Sequence, residues 1–82
     1  MVNAPAYPIR SLRQAGAALR SRRAARHISQ KQLGEMTGTA QSTISDIENG
    51  VVSVSLDVYL RLLEALGTEL SVTDRLADRE PS

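Results

Sequence analysis

The chain has 82 residues, 10 basic and 9 acidic for a net charge of +1, and contains no Phe, Trp or Cys. One domain of this length buries only about 60–65% of the surface of its unfolded form, and without Phe or Trp anchors or disulfides a second copy is a reasonable way to complete the core. No apolar run approaches the ~18 residues of a membrane span and no signal-peptide pattern opens the chain, so a soluble, cytoplasmic protein is expected, the lack of Cys fitting a reducing compartment.

Residues 1 to 8 (MVNAPAYP) hold two prolines and no periodicity, which predicts an extended or disordered arm. Ser11 then opens S-L-R-Q, a capping-box pattern in which Gln14 can reach back to the cap. Leu12, Ala15, Gly16 and Leu19 share one face, predicting a first helix over about 12–26. A second capping box, Ser29 with Gln32, opens a short helix over about 30–37 with Leu33 and Met36 inward. Gly38 ends it. Thr39 is expected to cap a third helix over about 40–49, with Ile44 and Ile47 inward and Gly50 at its end. Ser55 caps a fourth over about 56–66, closed by Gly67.

That fourth helix is apolar around more than half its circumference. Leu56, Tyr59, Leu60, Leu63 and Leu66 form one stripe, and Val58, Leu62 and Ala65 another. One stripe serves the core, so the second is expected to meet another surface, with Tyr59 in either role. T-E-L-S-V-T, residues 68–73, alternates Leu70 and Val72 with polar neighbours and reads as a strand. A lone strand has no partner in its own chain, and pairing with the same strand of a second copy would supply one. Residues 74–82 are polar.

The near-zero net charge hides an asymmetry. Arg10, Arg13, Arg20, Arg22, Arg23, Arg26 and Lys31 fall in the first 34 residues with no acid, giving +7. Nine acids against Arg61, Arg75 and Arg79 follow, giving −6. Such a split fits a basic surface for a polyanion or, equally, a solvated helix face. Enzymatic readings have little to stand on. There is no Cys, His27 is the sole histidine and belongs to a turn, no Gly-rich phosphate loop occurs, and no acids pair near a nucleophile. No enzyme, cofactor or metal is expected.

Two short helices joined by a turn at Gly38 match the helix-turn-helix pattern, in which the first helix crosses the phosphate backbone and the second presents its N-terminal residues to base edges. The positions Arg23, Gln30, Gly34, Gly38, Ile44, Glu48, Asn49 and Gly50 carry the spacing R-x6-Q-x3-G-x3-G-x5-I-x3-E-N-G. Over residues 12 to 67 this resembles the phage-repressor (XRE/Cro-like) family, although that family usually has Ala where Gly34 stands. "ISDIENG" followed by "SLDVYLRLLEALGTELSV" is most similar to the HipB-type antitoxins.

The resemblance implies an all-α, lambda-repressor-like fold of four to five helices with a short C-terminal strand paired across a homodimer. Its parts would be an arm (1–10), the helix-turn-helix domain (11–67), the strand (68–73) and a tail (74–82). By the same resemblance Gln41 and Ser42, with Ser45 and Asp46 one turn on, match base-reading positions. A Gln can bond adenine bidentately and an acid can accept from cytosine N4. Asp46 departs from the neutral amide often seen there.

Gln30 matches a phosphate-bonding position, and Thr43 and the backbone amide of Asn49 are further candidates. Arg20, Arg22, Arg26 and Lys31 provide either phosphate-facing charge or a solvated face. Arg10 and Arg13 are open to DNA, toxin or solvent. Arg23 and Glu48 match a partly buried ion pair tying the first helix to the end of the third. Val58, Leu62, Leu70 and Val72 are the expected dimer contacts.

The function implied is an operon-autorepressing antitoxin, associated with the nucleoid, that binds a palindromic double-stranded operator and neutralises a HipA-like serine/threonine kinase. A stand-alone regulator and a protein-interaction adaptor are the alternatives.

Overall fold

The computed structural model describes residues 6–75. Four helices follow one another: α1 (Leu12–Ala25), α2 (Gln30–Thr37), α3 (Gln41–Glu48) and α4 (Leu56–Ala65). Three begin on a serine whose side chain accepts a backbone N–H three residues on, namely Ser11 from Gln14, Ser29 from Gln32 and Ser55 from Val58. Each satisfies one of the donors that a helix start leaves open. At Ser29 the box is reciprocal. At Ser11 the Gln14 amide oxygen accepts instead from the Arg10 N–H at 2.6 Å, one residue further back than the expected box.

The expected cap of α3 is corrected. Ala40, not Thr39, is the N-cap and makes no side-chain bond. Thr39 belongs to the end of α2, where its N–H donates to Gly34 O at 2.9 Å and its hydroxyl is hydrogen-bonded to that of Thr37 at 2.9 Å. Gly38, at φ 71°, takes the left-handed turn that permits this. The turn after α1 places a non-glycine residue, His27, at φ 56°.

The core gathers Leu19 from α1, Leu33 from α2, Ile44 and Ile47 from α3, and Tyr59, Leu62, Leu63 and Leu66 at α4. Helix α3 packs on α1 and α2, and α2 on α4. Two inward assignments fail: Leu12 and Met36 are exposed. Helix α2 is held through Leu33, Gly34 and half-buried Thr37, and Met36 lies roughly 100° around the helix from the middle of that face. Leu12 stands on the first turn of α1, before the buried run Gly16, Ala18 and Leu19 begins.

The stripes of α4 are also reassigned. Tyr59, Leu62, Leu63 and Leu66 face inward, Val58 and Ala65 pack at the core's edge, and Leu56 and Leu60 are left in solvent. Leu62, expected at a dimer contact, is fully buried inside its own chain. Among the described residues there is no strand and no fifth helix; 68–75 is neither. A single chain offers that segment no edge to pair with, so its ladder has nowhere to form. Leu70 and Val72 are exposed.

Candidate nucleic-acid interface

The outer face of α3 is determined by its inner one. Ile44 and Ile47 are buried, which turns Gln41, Ser42, Thr43, Asp46 and Asn49 outward as exposed residues and leaves Ser45 half-buried. Because Ala40 gives no side-chain cap, the first N–H groups of α3 lack the side-chain acceptor found at the other three helix starts. Open N–H groups and the positive end of the helix dipole favour an anion there. The Asp46 side chain is exposed and makes no hydrogen bond or ion pair among the described residues.

One expected phosphate contact is corrected. The Asn49 backbone N–H donates to Ser45 O at 3.0 Å, inside the end of α3, so that amide is already used. Only its exposed side chain remains.

The structure brings Arg23, Glu48 and Gln30 together. Arg23 Nε donates to Glu48 Oε2 at 2.7 Å and Nη2 to Oε1 at 2.8 Å, a two-pronged pair. Its Nη1 donates to Ile28 O at 2.8 Å, fastening the turn between α1 and α2 as well. The Glu48 side chain is 1% exposed and that of Arg23 14%, so the pair is largely out of water. The bond to Glu48 raises the Arg23 pKa above its already high ordinary value, and the guanidinium stays charged. Gln30, at the start of α2, adds a third donor to the carboxylate at 3.1 Å.

Two glycines that the sequence did not mark as contacts make this junction possible. A Cβ on Gly16 would run into the carbonyls of Ile47 and Glu48. One on Gly50 would meet Arg13 Cα at 2.7 Å. Gly16 was legible only as an inward-facing small residue; nothing in its neighbours announces a carbonyl above it. Gly34, inside α2, likewise has no room, because a Cβ there would strike Thr39 O. Its neighbour is thus the turn that starts α3.

Among the basic residues, the side chains of Arg20 and Lys31 are exposed and make no hydrogen bond or ion pair among the described residues. Arg26 is exposed, and its side chain donates only a long bond to Arg22 O at 3.4 Å. Arg10 and Arg13 are exposed as well. No group of three or more His, Cys, Asp or Glu side chains that could hold a metal occurs among the described residues. No helix there is long and apolar enough to cross a membrane.

Residues 19–72 match the family described as Helix-turn-helix (HTH_3). A Mycobacterium tuberculosis (strain ATCC 25618 / H37Rv) protein named "Putative antitoxin HigA2" is 39% identical over 61 residues, 73% of this chain. The chain spans 60% of that relative's length. Among solved structures, a variant of HipB in complex with an O2 20mer superposes with a TM-score of 0.77 at 26% identity, covering 85% of this chain and 97% of that one. A HipA–HipB–O2–O3 complex contains a chain matched with a TM-score of 0.73 at 27% identity, covering 82% of this chain and 94% of that one.

Proposed function

The chain belongs to the helix-turn-helix family, and from that premise we propose that it is a sequence-specific, DNA-binding repressor serving as the antitoxin of a HipBA-like pair. The observation that carries the reading is the outer face of α3. It is built of short polar side chains that can bond base edges, stands on a buried Ile44–Ile47 base, and opens on uncapped N–H groups. Gln41 and Ser42 read bases, with Ser45 and Asp46 one turn deeper. Gln30, Thr43, Lys31, Arg20 and the side chain of Asn49 meet phosphates. The domain spans 11–67, the activity is binding rather than catalysis, and the site of action is the nucleoid in the cytoplasm.

Two copies act together. Leu60 and Leu70 line a shallow groove between α4 and the segment that follows it, and Leu56 and Val72 add exposed apolar surface nearby in sequence. Pairing of residues 68–73 across a two-fold axis would cover it, with Val58 at the margin. The two α3 helices would then meet half-sites roughly 34–36 Å apart on a palindromic operator. The kinase partner is supported by the likeness to HipB in a complex with HipA.

A gel shift on the DNA upstream of the chain's own gene tests the repressor reading. A retarded band that a scrambled duplex of equal length does not give is expected; equal retardation by both would sink it. Co-purification with the product of an adjacent kinase-like gene is expected of an antitoxin. An operator-binding protein whose gene has no such neighbour is a stand-alone regulator instead.

A further inference from the structure

The Arg23–Glu48 pair joins α1 to the end of α3, and its third partner ties it to the surface that faces DNA. Glu48 Oε1 accepts both Arg23 Nη2 at 2.8 Å and Gln30 Nε2 at 3.1 Å. An ionised carboxylate has no hydrogen to donate, so the Gln30 amide must turn its NH2 toward Glu48 and keep its oxygen away. Gln30 is half-buried at the first position of α2, whereas the Glu48 side chain is almost wholly buried. Arg23 fixes the approach to the same point through Ile28 O.

We infer that Glu48 is a positioning residue for DNA binding: its buried carboxylate holds the Gln30 side chain so that the second N–H of the amide is presented to a phosphate. The inference rests on the DNA-binding reading above and adds to it a role for a residue otherwise confined to stability. Three features of the geometry work together. A free glutamine must surrender its rotamers on binding, and one already bonded has surrendered them on folding. The bond to the carboxylate also fixes which way the amide is turned, since only its NH2 can face Glu48. The same carboxylate sits at the end of α3, so it sets the distance between the phosphate contact at the start of α2 and the reading helix.

The test measures DNA affinity by fluorescence anisotropy, on the upstream duplex and on a scrambled one, for four full-length proteins. These are the natural chain, Gln30→Ala, the apolar replacement Arg23→Met/Glu48→Met, and that replacement carrying Gln30→Ala. In the natural background Gln30→Ala is expected to weaken binding to both duplexes by about tenfold, as for a hydrogen bond to a charged group. Without the carboxylate the same change is expected to cost about twofold or less, since the amide is no longer held. Equal losses in the two backgrounds would overturn the inference, and so would no loss in the natural one.

If the replacement does not fold, the natural protein decides by NMR without DNA. One Gln30 Nε2 proton should be shifted and protected from exchange, with the second moving when the duplex is added. Two protons at free-amide positions would overturn the inference. Failure of the natural chain to bind either duplex would instead sink the DNA-binding reading on which it rests.

Discussion

At the joint between α1 and α3 each group meets its partner within one chain, whereas the outer face of α4 and the residues beyond it hold apolar side chains out to solvent. Arg23, Glu48, Ile28 and Gln30 close a network with a 1% exposed carboxylate at its centre, and Gly16 and Gly50 let the backbones come close enough to enclose it. No buried side-chain nitrogen or oxygen lacks a partner among the described residues. Leu56 and Leu60 on α4, and Leu70 and Val72 after it, have no such closure. The first region is complete in a single copy. The second carries apolar surface that only a further surface would cover, and this is why the protomer and its assembly should respond to different substitutions.

The largest effect is expected from opening the closed region. Glu48→Ala leaves the Arg23 guanidinium largely buried without its carboxylate and should lower unfolding free energy by about 3–5 kcal/mol in urea titration. Asp57→Ala removes an acid from an exposed pair, to Arg61 at 3.2 Å, and should change it by about 0.5 kcal/mol or less. Similar losses for the two would remove the distinction drawn here. In the open region, Leu70→Asp should leave the far-UV spectrum of the dilute protein unchanged. By sedimentation it should raise the dimer dissociation constant at least about tenfold, because like charges would face each other across the two-fold axis. An unaltered dimer would refute pairing through this segment.

A smaller effect distinguishes the α1–α4 contact. The Tyr59 hydroxyl donates to Ala15 O at 2.6 Å, and burial pushes its pKa up from 10.0 to about 12. Between those values the unfolded chain releases a proton that the folded chain keeps. The stability contributed is therefore full below about pH 10 and lost progressively up to about pH 12. Tyr59→Phe should flatten that part of the stability–pH curve; an unchanged slope would show that other groups cause it.

The division between regions also explains what the sequence made legible. Helix starts at Ser11, Ser29 and Ser55, and the stops at Gly38, Gly50 and Gly67, were readable because each depends on residues within a turn of itself. The cap of α3 was misplaced by one residue because Thr39 is engaged by the end of α2, a local competition between two uses of one hydroxyl that sequence pattern does not decide. Leu62 was read as outward because α4 is apolar on so much of its surface that periodicity allows two orientations. Only packing against α1 and α2 selects one. The pairing of Arg23 with Glu48 was implied by resemblance, and its atoms lie as that implied. The reach of Gln30 to the same carboxylate was not visible, since 18 positions separate the two in the chain.

The claim at the centre of this account is that α3 reads bases while the basic residues outside it supply affinity. Anisotropy titrations of Gln41→Ala and Arg20→Ala on the upstream and scrambled duplexes, at several salt concentrations, test it most directly. Gln41→Ala should lose about 1–3 kcal/mol on the upstream duplex and little on the scrambled one. Arg20→Ala should weaken both alike and reduce the salt slope by about one. Equal losses on the two duplexes for Gln41→Ala would contradict the account.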